Sequence, residues 1–420
     1  MLNEKYYIII KKFLCLVTII LLITIVFTPL TYGYRLENES TKIEKNMLYV
    51  GGDGPGNYTS IQHAVNDANW GDTVFVYEGT YYENIVIEKS INVIGEDRNS
   101  TIVEGRTDPW DHVFHLECND IVIKGFTIKK GTAGLYIGQT DSANINIKVI
   151  DCNILNNAQE YGGICFRGHL YQLEIENCYF KNNGRVALRI ESQGMHDTKI
   201  LNCSFDNKDE IIGYNIENLT FNNCDFYGSE LSFDYPSDYL KFYNCKFNKT
   251  NEIYISIRGS YQIFENCSFA NCSIEAIRLY DSKGAVIRDC VFRSYPNQYY
   301  REAHGLSLFA NNLLVENCIF SNMNIGIYIW YSHKNITVRN CHFENNRVGI
   351  QYMNRVFGNR YINNNFITND IQFKNEDAWF IINQFKGNYW SDWRGWGPYH
   401  VCGIFNWDWH PSKEQYDIGV

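Results

Sequence analysis

The chain has 420 residues, 45% hydrophobic and 15% aromatic, with 37 Lys and Arg against 47 Asp and Glu, a net charge of −10. That composition excludes a disordered chain, which is too poor in aromatic and apolar residues to bury a core. It also argues against nucleic acid as a partner, because phosphate binding relies on clustered cations.

At the N-terminus, Lys5, Lys11 and Lys12 precede an apolar run from Phe13 to Phe27, followed by Thr28, Pro29, Thr31 and Gly33. This order predicts a secretory signal peptide over 1–33. The competing reading is an uncleaved membrane anchor, since residues 13–30 approach the lower length limit for a bilayer span. Residues 34–46 read as a linker. Either way the body is expected to be secreted or on the cell surface, periplasmic or extracellular. Nine Asn-X-Ser/Thr sequons, at Asn38, Asn57, Asn99, Asn202, Asn218, Asn248, Asn266, Asn271 and Asn335, are compatible with a surface glycoprotein. An Asn-rich chain also makes sequons by chance.

Within residues 57–96, Ile61, Ala64, Val65 and Ala68 fall at helical spacing behind Thr59 or Ser60 as N-cap. A short helix there would cover an otherwise open β edge. Beyond it a strand-like phrase, Asn-Cys-X-Phe or a close variant, recurs at Cys152, Cys178, Cys203, Cys224, Cys245, Cys267, Cys290, Cys318 and Cys341. It continues without Cys at Phe126 and Asn364. The period is about 24 residues, with short alternating strands broken by Asn and Gly turns. This predicts an all-β fold, a parallel β-helix of about eleven coils over 47–386, closed by a Trp-rich cap over 387–420. Helical repeats do not fit the period-2 alternation, and the leucine-rich frame is absent.

Each phrase Cys occupies the same phase of its coil, so the nine are expected to stack inside as small apolar residues. An occasional disulfide between neighbouring coils is the competing reading. The Asn or Asp before each Cys is expected to form a turn ladder. In the cap, Trp390, Trp393, Trp396, Trp407 and Trp409 read as a plug on the last coil, with a ligand platform as the alternative. His400, Cys402, Asp408 and His410 have side chains that suit copper or zinc, but their spacing matches no known finger, and no metal site is assigned.

Aligning the strand after the Asn turn gives two outward columns. One runs Tyr136, Cys165, Arg189, Ser232, Ser256, Arg278, Ser307, Tyr328, Gln351 and Gln372; the other runs Gly138, Arg167, Glu191, Asp234, Arg258, Tyr280, Phe309, Trp330, Met353 and Lys374. The coil near Ile211 does not align. This strip is expected to bind polysaccharide, with Tyr280, Phe309, Tyr328 and Trp330 stacking on sugars and Arg189, Arg258 and Arg278 holding carboxylates or hydroxyls. The competing reading pairs Glu191 and Asp234 with Arg167 and Arg258 while the aromatics stack on one another. If the protein is an enzyme, Glu191, Asp234 and Arg258 are its catalytic candidates, as a carboxylate pair or as a lyase base beside Ca²⁺.

The capping-helix phrase, the GTYYENIVIEKSINVIGE stretch, the Asn-Cys-X-Phe coils and the closing NYWSDW resemble the pectin-lyase-like right-handed parallel β-helix proteins, and within them the NosD-type surface and periplasmic repeat proteins. The resemblance implies the fold, and a fold that hosts lyases, hydrolases, esterases, epimerases and non-enzymes. AHGLS at 303–307 resembles the Gly-His-Gly motif of polygalacturonases, but the Asp motifs that accompany it are missing. Residues 57–96 are similar to pectin methylesterases, whose catalytic strand is absent, as is the Asp-Pro-His motif of alginate epimerases. The functional expectation is a non-catalytic surface protein with a glycan as partner, no nucleic acid, and no cofactor unless Ca²⁺ or copper. The alternatives are a lyase or glycoside hydrolase acting on a uronic-acid polymer, and a NosD-like copper-enzyme maturation factor.

Overall fold

The computed structural model describes residues 45–419 apart from the internal segments 107–110, 139–143, 159–160, 207–209, 235, 251–254, 273, 295–302, 331–333, 354–356 and 377–381. The expected signal peptide or anchor, most of the linker and Asn38 lie outside the described residues.

Successive coils supply strands to three faces. Face one holds fourteen parallel strands, from Gly79–Tyr81 to Tyr389–Trp390. Face two runs from Ile85–Ile87 to Ile371–Asn375, and face three from Met47–Val50 to Asn406–Asp408. The chain is thus a parallel β-solenoid of about fourteen turns rather than eleven. The Cys phrase marks nine of them; the strands Gly79–Tyr81, Thr101–Glu104 and Thr127–Lys129 precede it, and Asn365–Ile367 and Tyr389–Trp390 follow it.

One helix, α1 (Ile61–Asp67), lies at the start of the solenoid, with Ile61, Ala64 and Val65 buried. Ser60 is its N-cap, and Glu83 accepts from the Ile61 and Gln62 amides at 2.8 and 2.9 Å, so a carboxylate neutralises the first turn.

The recurring phrase builds one corner. The Asn or Asp before each Cys has a left-handed backbone, φ 51° at Asp151, 56° at Asn177 and 51° at Asn340, a conformation these side chains tolerate. Their amides link coils on the outside, as where Asn266 Nδ2 donates to Asn244 Oδ1 at 2.7 Å. The Cys turns inward and donates to the carbonyl two residues back, Cys290 Sγ to Arg288 O at 3.1 Å for example. All nine phrase cysteines are buried free thiols, as expected, and burial pushes the Cys318 thiol up. The Phe two positions on forms a continuous internal stack through Phe180, Phe205, Phe226 and Phe247, and onward to Phe366, with neighbouring centroids 4.6–5.1 Å apart; Trp390 closes it at 4.4 Å from Phe366. On face two, glycine leaves room for these rings: a Cβ on Gly326 would lie 2.6 Å from Gly349 O and 2.9 Å from the Phe343 ring.

Candidate functional site

Face two is where coil length varies. Ten residues separate Arg293 from His304 in one coil, against three between Asp206 and Glu210 in another.

The register joins Tyr136, Cys165, Arg189, Ile212, Ser232, Ser256, Arg278, Ser307, Tyr328 and Gln351 in one column. The coil that would not align enters as the strand Glu210–Tyr214, placing Ile212 in this column and Tyr214 opposite Asp234. The column ends on Lys374, not Gln372. Phe373 takes the core place beside Tyr361 and Phe385, while Gln372 accepts from Asn369 at 2.8 Å, so the last coil is two residues out of the expected register.

Exposure divides the two columns. Cys165, Ser256, Ser307, Tyr328 and Gln351 are buried, so the first column is a floor and not the open strip expected. Tyr328 packs edge-on to Trp330 at 4.6 Å and donates to Met353 Sδ at 3.4 Å, which takes it out of the set of sugar platforms. The second column carries the accessible groups: Arg167, Asp234 and Arg258 are exposed, and Tyr280, Phe309 and Trp330 half-buried.

These last residues form one row. Tyr280 and Phe309 stack at 4.9 Å, as do Phe309 and Trp330, and the Arg258 and Arg278 guanidinium groups lie 5.8 and 5.7 Å from the Tyr280 ring centre. The aromatics therefore cover one another's faces and turn edges outward. Arg278 is held by the buried carboxylate of Glu275 and donates to Tyr280 Oη at 3.1 Å. His304 lies 3.6 Å from the same carboxylate and 3.2 Å from Ser307 Oγ. Burial works to raise the Glu275 pKa, but hydrogen bonds from His304 and Arg278 outweigh it and hold the group below the usual value. Glu275 lies one residue before the repeated strand phrase at Ala276, so the phrase does not point to it.

Arg167 faces Glu191 across the rung and feels its charge, but the closest ion pairs are others. Glu191 pairs with Arg189 on its own strand at 2.7 Å, and Arg258 lies 3.8 Å from Asp281. Glu191 and Asp234 stand two strands apart with Tyr214 between them, roughly 9.5 Å at the usual strand spacing. That is a separation for water-mediated inversion, yet neither carboxylate is buried, and a general acid needs desolvation.

Upstream, the first column extends to His115, in register with Tyr136. The His112 ring lies flat on Tyr136 at 4.4 Å, and Arg167 hydrogen-bonds the Tyr136 side chain. Burial, and secondarily His115, hold the His112 pKa down at about 4. Neither histidine was legible, because the repeat phrase starts downstream. Among the described residues no three His, Cys, Asp or Glu side chains converge on a metal-sized site. Of the cap residues weighed as ligands, Asp408 is buried and accepts from Asn388 Nδ2 at 3.0 Å, and Cys402 Sγ lies 3.3 Å from Tyr352 Oη.

A model of the right handed beta helix region matches residues 190–297 and 233–367. The chain is 37% identical over 122 residues to a probable pectinesterase/pectinesterase inhibitor 6 of Arabidopsis thaliana, covering 25% of this chain and 22% of that one. It is 26% identical over 108 residues to a cell surface glycoprotein of Methanothermus fervidus, 25% of this chain and 18% of that one. The chain thus spans about a fifth of the length of these curated relatives. A mannuronic acid specific polysaccharide family 6 lyase from human gut microbiota superposes with a TM-score of 0.52 at 13% identity, over 82% of this chain and 86% of that one. That likeness establishes the shared fold. No helix among the described residues is long and apolar enough to cross a membrane.

Proposed function

We propose that this right-handed parallel β-helix is a non-catalytic cell-surface or secreted protein that binds an acidic polysaccharide along face two. The observation that carries the reading is the row Arg258, Tyr280, Phe309 and Trp330. It presents cations and a rigid apolar ridge at one contact per coil, the periodicity a chain of sugar units running along the solenoid can follow. Relatives described as a cell surface glycoprotein and a probable pectinesterase, and a structural neighbour specific for mannuronic acid, support a surface setting and a uronic-acid ligand. Arg189 and Arg278 are tied to Glu191 and Glu275, so Arg258 is the cation best placed for a ligand carboxylate. Affinity electrophoresis in gels containing neutral or uronic-acid polysaccharide, with reducing ends and unsaturated products assayed in parallel, tests the reading. Retardation by the acidic polymer without product supports it; product formed by the intact chain makes it an enzyme.

A further inference from the structure

At the C-terminal end of face three, the strands Arg360–Ile362, Gln384–Lys386 and Asn406–Asp408 line an open cleft of about 750 Å³. Its lining combines Phe405, Trp407 and Trp409 with Arg360, Lys386 and His410, and among the described residues includes no Asp or Glu. Trp409 is 66% exposed. Large aromatic surface left in water loses that hydration cost when something covers it.

The cleft is also held in shape. Trp407 Nε1 donates to Ile404 O at 3.0 Å, and the Trp407 ring packs on His400 at 4.4 Å. Trp407 and Trp409 lie 6.2 Å apart and tilted by 34°, so Trp409 keeps a ring face towards solvent, unlike the mutually covered rings of face two. Gln384 stands beside Arg360 in the register and supplies an uncharged donor and acceptor. A concave site with fixed indoles, cations and an amide fits a ring that has one apolar face and polar edges. A lipid surface would call instead for a convex, adaptable one.

We propose that this cleft is a second saccharide site, one that takes a uronic-acid unit through indole stacking on Trp409 and carboxylate contacts from Arg360 and Lys386. It shares no residue with face two and stands or falls separately from that reading.

The test is titration of the full chain with a tetragalacturonate and with a neutral tetrasaccharide, followed by tryptophan fluorescence and calorimetry. In the Arg258→Ala/Trp330→Ala background, which removes the contribution of the face-two row, the expected result is a fluorescence change that Trp409→Ala abolishes with at least tenfold weaker binding. Lys386→Gln with Arg360→Gln is expected to erase the preference for the charged ligand while neutral-sugar binding persists. The melting temperature controls for folding. Titrations unchanged in Trp409→Ala overturn the proposal. So does a dimer, seen by sedimentation, that Trp409→Ala dissolves, because the cleft is then an interface between copies of the chain.

Discussion

The backbone amide of Cys341 donates to Oδ1 of Asn364 at 2.9 Å, and Asn364 stands where the next coil would carry its cysteine. Asn364 Nδ2 in turn donates to Val338 O at 3.0 Å and to Asn388 Oδ1 at 2.9 Å, and Asn388 passes the chain to Asp408. The corner column thus changes from thiols, which fill space and use one weak donor, to amides that satisfy the last coils' backbone. The change comes where the solenoid runs out of coils to stack on.

The two chemistries predict different costs. Asn364→Ala orphans the buried Cys341 amide and removes the side-chain bonds to Val338 O and Asn388, and should lose about 2–4 kcal/mol. Cys245→Ala removes one sulfur and its bond to Tyr243 O and should lose about 1–2 kcal/mol. Urea unfolding of both variants gives the comparison; equal losses would show that the Asn ladder adds nothing beyond packing.

Asp408 ends that ladder, accepting from the Asn388 amide at 2.8 Å, from the Gly387 amide at 3.1 Å and from Trp390 Nε1 at 3.3 Å. Asp408→Leu should therefore destabilise by about 3 kcal/mol or more, and Asp408→Asn by less, since an amide oxygen still accepts. Hydrogen exchange should show the opening confined to the final coils, as expected of a solenoid whose units contact only their neighbours.

Acid should weaken the N-terminal coils through His112. Its pKa is about 4 when folded and near 6.5 when unfolded, so the unfolded chain binds the extra proton between those values. Stability is full above pH 6.5 and falls by up to about 3 kcal/mol as pH drops to 4. His112→Phe should flatten that part of the pH profile in thermal unfolding; a profile identical to the parent's would show that His112 is solvated.

Much of the solenoid was legible because its corner repeats as a phrase. An Asn that tolerates φ near 55°, a small thiol and a Phe at fixed offsets can be counted without knowing the fold. Coils without the Cys and Phe, such as that of Thr101–Glu104, carry no such mark, which is why the turns at Gly79–Tyr81, Thr101–Glu104 and Tyr389–Trp390 went uncounted. The site was legible in register and less so in exposure. Period-2 alternation placed Tyr328 and Trp330 on the outer side, but it could not show that Tyr328 would become floor beneath Trp330. Glu275 lies one residue, and His112 one coil, outside the repeated strands, so no phrase pointed to them.

Phe309 carries the row on face two, since its ring is flanked by Tyr280 and Trp330. Phe309→Ala should break the ridge in two and weaken polysaccharide binding more than tenfold, at a stability cost of about 1–3 kcal/mol from the two lost ring stacks. Binding should also fall with added salt, as Arg258 is exposed. Affinity that is independent of salt would remove the cation from the account.

The most direct measurement is the retardation of the full chain and of Arg258→Ala/Trp330→Ala in gels carrying uronic-acid polysaccharide. The parent chain is expected to be retarded, the double variant to run at least tenfold less bound, and neither to yield unsaturated or reducing products. Equal migration of the two proteins, or no retardation of the parent by any acidic polymer, would contradict that expectation.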